Sequence, residues 1–495
     1  MELRNMPQVR MGLVAVSRDC FPIELSRRRR DEVLAECKKQ KLDVTMCSVI
    51  IESEKDALKA VEEMRAKDIN AVTVYLGNFG PEGPTTIFAR ELGVPFMLVG
   101  AAEETAKDLI NSRGDAFCGM LNASLNCGLR NLKPYIPPRP IGMPKEVVEN
   151  IRRFIDVARV AVGIRNLKVM SFGPRPQDFY ACNAPIKPLY DLGVEVMENS
   201  ELDLYLLTRD MAAKTREVDA IASDMAKELG KGNQHPEKLK NLAALELALT
   251  EFCEKNLGSR QFAVFANKCW PGFEPGFGFV PCYVNSRMAG RGFPVACETD
   301  IYGAVSSYMV QLASEYPVAF LDINNTVPDD LKIKDLKGAG KEDLFMGFHC
   351  GNTASCLLCK GCAMKHQLIM HRLMEPGKKP NITVGTLEGT LCPGPATVFR
   401  FNHNMRGESR AYVAEGHVID ADPASFGGIG IIGCPGFGRF YRYVLLEHMF
   451  PHHAALGFRH AGATLFDAAR LLGIAIDAPL PKGTLYPGEN PFLAG

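Results

Sequence analysis

The sequence carries almost no charge imbalance, a single tryptophan and no long apolar run, and each shortage excludes something. Lys+Arg and Asp+Glu both number 57 in 495 residues, so the formal net charge is zero. Wholesale electrostatic binding of nucleic acid requires a basic surface that displaces phosphate counterions, so no nucleic-acid partner is expected. The Arg27–Arg30 run lies beside a helix start and reads as a solvated face. Nowhere do about 18 apolar residues follow one another, so no membrane-spanning helix is expected. The opening MELRNMPQVRMGLVAVSRDC lacks the apolar stretch of a signal peptide. A cytoplasmic location without a membrane partner is the expectation, and the 16 cysteines are then core residues, ligands or reactive thiols rather than a disulfide framework. No GxGxxG leads from a strand into a helix, which leaves a nucleotide site unsupported.

What is present is an ordinary folded composition, 46% hydrophobic and 23% charged, in a chain too long for one core; two or three domains are expected. Apolar runs at Gly12–Val16, Val44–Ile50, Ala71–Leu76 and Pro95–Val99 alternate with charged stretches of helical period such as SEKDALKAVEEMRAKD. That alternation predicts a parallel, doubly wound sheet, with ligands outside the carboxyl ends of its strands. PYIPPRPIGMPK reads as a stiff connector. A second α/β segment starts at Leu167–Phe172, with GPRPQDFY as its first strand-end loop, helices over roughly 199–257 and a strand at QFAVFAN. From about residue 316 helical periodicity gives way to short β-like runs between Gly and Pro: NITVGTLEG, ATVFRFNHN, RAYVAEGHVID and GGIGIIG. The expected fold class is α/β, with two doubly wound domains (1–165 and 166–315) followed by a β-rich, barrel-like domain (316–495) that ends in a helix near ATLFDAARLLG.

Three stretches concentrate polar residues at the edges of apolar runs. In PVACETDIYGAVSSYM, Glu298 follows an apolar run and is expected to open a helix, whose free N–H groups and dipole keep it ionised. In PVAFLDINN, Asp322 ends a strand-like run, where a buried acid demands a partner. In FPHHAALGFRH, His452 and His453 are adjacent, so one of the two is expected to point inward. His349 in FMGFHCGN ends another β-like run. Carboxylates and imidazoles without an obligatory thiolate suit Mn²⁺, Mg²⁺ or Co²⁺ with open positions, as a diol or hydroxy-carbonyl substrate requires. Such a site stabilises charge as a proton leaves C2 of a sugar, while one carboxylate shuttles that proton between C1 and C2. The competing reading is a zinc or Fe–S site on Cys350, Cys356, Cys359 and Cys362, although no fourth cysteine stands at the ferredoxin spacing and the segment carries the apolar load of a helix.

CWPGFEPGFGFVPCYVNSRMAGRGFPVACETDIYGAVSSYM, FLDINN, FHCGN, SFGGIG and PHHAALGFRHAGATLFDAARLLG, in this order, resemble the L-fucose isomerase family over roughly 261–475, with L-arabinose isomerases more distant. The resemblance implies three domains, a divalent metal (usually Mn²⁺) and homo-oligomers such as hexamers. It places the metal ligands on Glu298, Asp322 and His453, with His452 an alternative and His349 as the counterpart of a further ligand histidine. The two acids become the proton carriers, and the partner a small sugar, a pentose or 6-deoxyhexose such as L-fucose or D-arabinose. Trp270, Arg175 and Gln177 are the candidate substrate contacts. A non-catalytic sugar receptor with two α/β lobes is the alternative from another class.

Overall fold

The computed structural model describes residues 5–111, 113–379 and 384–480. They group into two compact units: Pro7–Val162 with Asp467–Gly473, and Gly163–Phe466 with the described residues of 5–6 and 474–480.

In the first unit, β1 (Met11–Val16), β2 (Thr45–Ile51), β3 (Ala71–Leu76), β4 (Phe96–Ala101) and the short β5 (Ile141–Gly142) form a wholly parallel sheet in the order β2-β1-β3-β4-β5. Every residue of β1, β3 and β4 is buried, as expected of strands covered on both faces. The intervening helices start on recognisable signals. Ser53 caps Glu54–Ala66 through a reciprocal box with Asp56, and Gly93 closes Glu82–Leu92 in the left-handed region. The Pro134–Lys145 stretch contributes β5 and then enters the helix Pro144–Arg165.

The second unit holds two sheets. β6 (Leu167–Phe172), β7 (Glu195–Asn199), β8 (Phe262–Ala266) and β9 (Val295–Ala296) are parallel, in the order β7-β6-β8-β9. The larger, mixed sheet contains β10 (Val318–Asn325), β11 (Leu344–His349), β12 (Leu358–His366), β13 (Val384–Leu391), β14 (Gly394–His403), β15 (Ser409–Ile419), β16 (Gly428–Gly433), β17 (His453–Gly457) and β18 (Ala475–Asp477). Its order is β12-β13-β16-β11-β10-β17-β14-β15-β18, with a further pairing of β15 to β16. A mixed α/β architecture is thus observed, with two parallel sheets followed by a large mixed sheet in the C-terminal part. Asn381–Thr383 of NITVGTLEG lie outside the described residues.

The cysteine run departs from expectation twice. Its second half is the strand β12 rather than a helix, and Cys359 is disulfide-bonded to Cys392, one residue past the antiparallel partner strand β13. Alternation in a sheet carries an apolar load as readily as a helix face does, and short runs do not separate the two periods. Cys350 and Cys362 are half-buried and Cys356 is exposed. Cys359 is thus taken up in a disulfide, and none of the four cysteines of this run joins a group of potential metal ligands among the described residues. One short helical stretch, Phe437–Leu446, falls where only strands were expected.

Candidate active site

The carboxyl ends of β6, β8 and β9 converge, as ligand-binding ends of a parallel sheet do. The loop Gly173–Tyr180 follows β6, Asn267–Trp270 follow β8, and Glu298 follows β9. Asn267 ties two of these ends together. Its backbone N–H donates to Ala296 and its carbonyl accepts from the Thr299 N–H (2.8 Å). Its side chain exchanges two 2.9 Å hydrogen bonds with Asn285. These contacts hold Glu298 (φ +59°) and Thr299 (φ +56°) in the left-handed region, a conformation that non-glycine residues keep only where the surroundings enforce it.

Glu298 is consequently not the first residue of a helix, as its sequence context suggests. The helix Ile301–Ser314 begins three residues later, and Asp300 is its cap, accepting from the Gly303 N–H at 2.8 Å. Gly303 is required there, because a Cβ would meet the Phe320 ring at 2.4 Å and the Asp300 carboxylate at 2.7 Å.

The opposite wall is the larger sheet. Asp322 on β10 and His453 on β17 are direct partners in the antiparallel register, so their side chains leave the same face. His453 Nε2 lies 3.1 Å from Glu298 Oε2 and 3.3 Å from Asp322 Oδ1. All three atoms are buried, and none has a hydrogen-bond partner. His452 also faces the acids, its Nε2 lying 3.9 Å from Glu298 and 3.7 Å from Asp322. The expectation that one of the adjacent histidines turns away therefore fails: the two rings sit 4.0 Å apart at the start of β17. His349 closes the group at the end of β11. Ligand atoms of Asp322, His349 and His453 lie within 4.8 Å of one another, as do those of Glu298, His452 and His453. Two buried carboxylates around an imidazole, their inward atoms lacking donors, form a donor set suited to a hard divalent cation.

Behind His453 stands a layer that sequence reasoning missed. Asp300 Oδ2 pairs with His453 Nδ1 at 2.8 Å and with Arg400 Nη1 at 2.5 Å, while Asp300 Oδ1 accepts from Arg400 Nη2 at 3.0 Å. Asp300, Arg400 and His453 are all buried. A signal for this layer existed: Arg400 interrupts the apolar strand Thr397–Phe401, and an arginine so placed needs a buried counter-charge. Cys182 Sγ, 3.8 Å from His453 Nδ1, completes the surroundings, its thiol pushed up to about 11 by burial and by Asp300.

The buried charges of this group shift one another's titration. Burial works to raise the Asp300 and Glu298 carboxyl pKa values, but Arg400 and His453 outweigh it for Asp300, as the three histidines do for Glu298; both end below the ordinary value. Burial works to lower His453, yet Asp300, Cys182 and Glu298 reverse this and hold it well above the usual imidazole value. His349 is shifted down, chiefly by burial, and His452 falls to about 4 through burial and the neighbouring His453.

Of the predicted substrate contacts, Trp270 reaches the group through Phe179, whose ring lies edge-on to both Trp270 (6.3 Å) and His452 (5.3 Å). Arg175 lies over the Tyr180 ring at 4.8 Å, its buried Nε unpaired. Gln177 is exposed at φ +36° on the same loop. No hydrogen bond or ion pair among the described residues joins Arg175 or Gln177 to the carboxylates.

Fold and site together define an α/β protein with a candidate divalent-metal centre built on strand ends. Comparison with known proteins gives the class its chemistry. Residues 12–165 match the family described as "Fucose/sulfoquinovose isomerase, N-terminal domain", and residues 347–478 match "L-fucose isomerase, C-terminal domain". The sulfoquinovose isomerase of Alkalicoccus urumqiensis is 24% identical over 342 residues, covering 68% of this chain and 70% of the relative. That of Priestia aryabhattai is 22% identical over 337 residues, covering 67% and 68%. A D-allose-bound periplasmic solute binding protein of Actinobacillus succinogenes 130z covers 61% of this chain and 91% of its own at 12% identity, with a TM-score of 0.16 that carries no argument. The chain belongs to the fucose/sulfoquinovose isomerase family, and it is a sugar isomerase. No described helix is long and apolar enough to cross a membrane.

Proposed function

We propose that the protein interconverts an aldose and its ketose by moving a proton between C1 and C2 through an enediol, with Mn²⁺ (or Mg²⁺ or Co²⁺) held by Glu298, Asp322 and His453. One observation carries this reading: Glu298 Oε2 and Asp322 Oδ1 lie 3.1 and 3.3 Å from His453 Nε2, and all three atoms are buried without hydrogen-bond partners. When bound, the cation polarises the oxygens on C1 and C2 and stabilises the negative charge that develops as the C–H bond breaks.

The chain's own residues do the rest. Glu298, held ionised by the surrounding histidines, is the carboxylate that accepts the C2 proton and returns it to C1; Asp322, across the imidazole, is the second proton carrier. The Nδ1 of His349 accepts from the Cys350 N–H at 3.0 Å. In a neutral ring that hydrogen bond leaves the proton on Nε2, placed to donate to a sugar oxygen, while His349 also stands in the group with Asp322 and His453 that could hold the cation. Trp270, Phe179 and His452 line an aromatic wall for the sugar's apolar face. Arg175 and Gln177, on the loop after β6, meet the distal hydroxyls or a charged substituent. The run of pairings β16-β11-β10-β17-β14-β15 and back to β16 is read as a barrel with the site at one end.

The proposed substrate is a 6-deoxyhexose or a pentose of the L-fucose and D-arabinose kind, or a 6-sulfonated hexose such as the one named for the relatives. L-Fucose, D-arabinose, L-arabinose and sulfoquinovose are to be assayed with and without EDTA, in H₂O and in D₂O. Ketose formation that EDTA abolishes and Mn²⁺ restores, with deuterium appearing at C1, is the expected result. Absence of metal-dependent ketose from every one of these sugars overturns the proposal.

A further inference from the structure

The stretch TASCLLCKGC, with a cysteine at every third position from Cys356, takes no part in the candidate active site. Fourteen cysteines of the chain are free thiols, and Cys359–Cys392 is the one disulfide among the described residues. Free thiols flank it at equal spacing: Cys356 is exposed and Cys362 half-buried. A disulfide with thiols on either side is an arrangement in which S–S bonds exchange without net oxidation.

The strands show why Cys359 meets both Cys392 and Cys362. Cys359 is the register partner of Thr390, so Cys392 is its diagonal neighbour on the same face, with the Cα atoms 4.8 Å apart. Beyond Cys359 the strand β12 bulges: the four steps from Cys359 to Ala363 face only the two from Thr390 to Glu388 on β13. Two residues of a strand span about 7 Å, so the chain between Cys359 and Ala363 folds back on itself. Gly361, at φ +86°, takes the value required of the third residue of a type II turn, whose first and fourth Cα atoms approach within about 7 Å. Cys359 and Cys362 hold those two places, within disulfide reach. The bulge is fixed from outside, because a Cβ on Gly232, just past the helix Thr215–Leu229, would meet the Cys362 carbonyl at 2.0 Å.

Between that helix end and the strands β12, β13 and β16 opens a cavity of about 860 Å³, a volume within the ~300–1,000 Å³ of small-ligand sites. Cys356, Cys359 and Cys362 line it and Cys392 does not, so Cys359 carries the sulfur that a ligand meets. None of Glu298, Asp322, His349, His452 and His453 lines it. Most of its charges are taken. Glu228 accepts from Ser355, Tyr283 and Arg287, and Lys365 pairs with Glu388 at 3.3 Å. Lys231 is the cation of this cavity with no ion pair among the described residues.

We propose that the cavity is a modification site for a small thiol bearing a carboxylate, which exchanges with the Cys359–Cys392 bond. The ligand's thiolate attacks Cys359 Sγ, the bond to Cys392 breaks, and Cys392 leaves as a thiolate that takes up the proton the ligand lost. Cys362 then attacks the same sulfur in the mixed disulfide, and the ligand departs as a thiol with the proton Cys362 gave up. Each S–S bond broken is matched by one formed, so no oxidant or reductant is consumed. The covalent tie has moved from between β12 and β13 to the turn within β12. Burial pushes the Cys362 thiol above its ordinary value, which keeps it protonated beside the resting bond and leaves the first attack to the ligand. Lys231 receives the ligand's carboxylate. This assignment does not depend on the catalytic proposal.

The test is peptide mapping by mass spectrometry of the intact protein, treated anaerobically with one equivalent of glutathione and quenched with N-ethylmaleimide. Before treatment Cys359 is expected to be linked to Cys392. Afterwards Cys392 is expected to be alkylated and Cys359 linked to Cys362. Cys362→Ser is expected to stop at the Cys359–glutathione adduct, raised about 10-fold or more over wild type, while Cys356→Ser behaves as wild type. Lys231→Ala is expected to slow the reaction with glutathione about 5-fold, the worth of one exposed ion pair, and to leave that with cysteamine, which has no carboxylate, unchanged. Equal slowing of both reactions, or of neither, overturns the choice of ligand. The exchange itself is overturned by Cys359 and Cys392 already free before treatment, by a link between them that survives it, by Cys356 in place of Cys362 as the new partner, or by no adduct in Cys362→Ser.

Discussion

Asp300→Asn is the sharpest probe of how the site is held. The substitution keeps shape and the N-cap acceptor, so the helix Ile301–Ser314 still starts in place. What disappears is the charge between Arg400 and His453, at a position where all three groups are buried. Removing one partner of a buried pair leaves the other charge uncompensated, which costs about 3–5 kcal/mol. At roughly 2 °C per kcal/mol for a unit of this size, the melting temperature is expected to fall by about 6–10 °C. The double variant Asp300→Asn/Arg400→Leu removes both charges, so its loss is expected to be smaller than the two single losses combined by about 2 kcal/mol or more. A second readout is metal affinity. With a neutral amide behind Nδ1, His453 is a weaker and less firmly oriented donor at Nε2, and Mn²⁺ binding followed by electron paramagnetic resonance is expected to weaken about 10–100-fold. An Asp300→Asn protein that melts within 2 °C of wild type, or strictly additive single and double variants, refutes the claim that this charge pair supports the site.

The other predictions are briefer. Glu298→Gln is expected to lower kcat about 10²–10⁴-fold with folding retained, the range for loss of a positioned proton carrier; deuterium exchange at C1 reports the same step. For His452, whose folded pKa is depressed to about 4 from an ordinary 6.5, the unfolded chain binds the extra proton across that window. Its contribution to stability is complete above pH 6.5 and is lost as pH falls toward 4. The metal-free His452→Gln variant is therefore expected to lose less stability than wild type between pH 6.5 and 4 in urea titrations; parallel curves refute the assignment. Opening the Cys359–Cys392 bond, which spans 33 residues, frees loop entropy worth about 3–4 kcal/mol. Thermal melts of Cys359→Ser against wild type, with and without reductant, measure it.

The parallel layers were legible in the sequence because burial on both faces leaves continuous apolar runs: Ala71–Leu76 and Leu167–Phe172 are strands with those bounds. Legible too were Glu298, Asp322 and His453 as polar residues set against apolar runs, since such groups need a reason to be there. Two readings failed for a shared cause. The Leu358–His366 segment reads apolar whether helix or strand, and adjacent histidines alternate only inside a strand, whereas β17 begins at His453 and leaves His452 before it; in each case strand pairing decides where the element lies. Local periodicity thus determined the elements and nominated the acids and imidazoles. Tertiary structure alone decided that Asp322 meets His453 across 131 residues, because register between β10 and β17 is a property of two strands and not of either. It alone set Arg400 behind Asp300, since a counter-charge exists only once distant segments have taken their places.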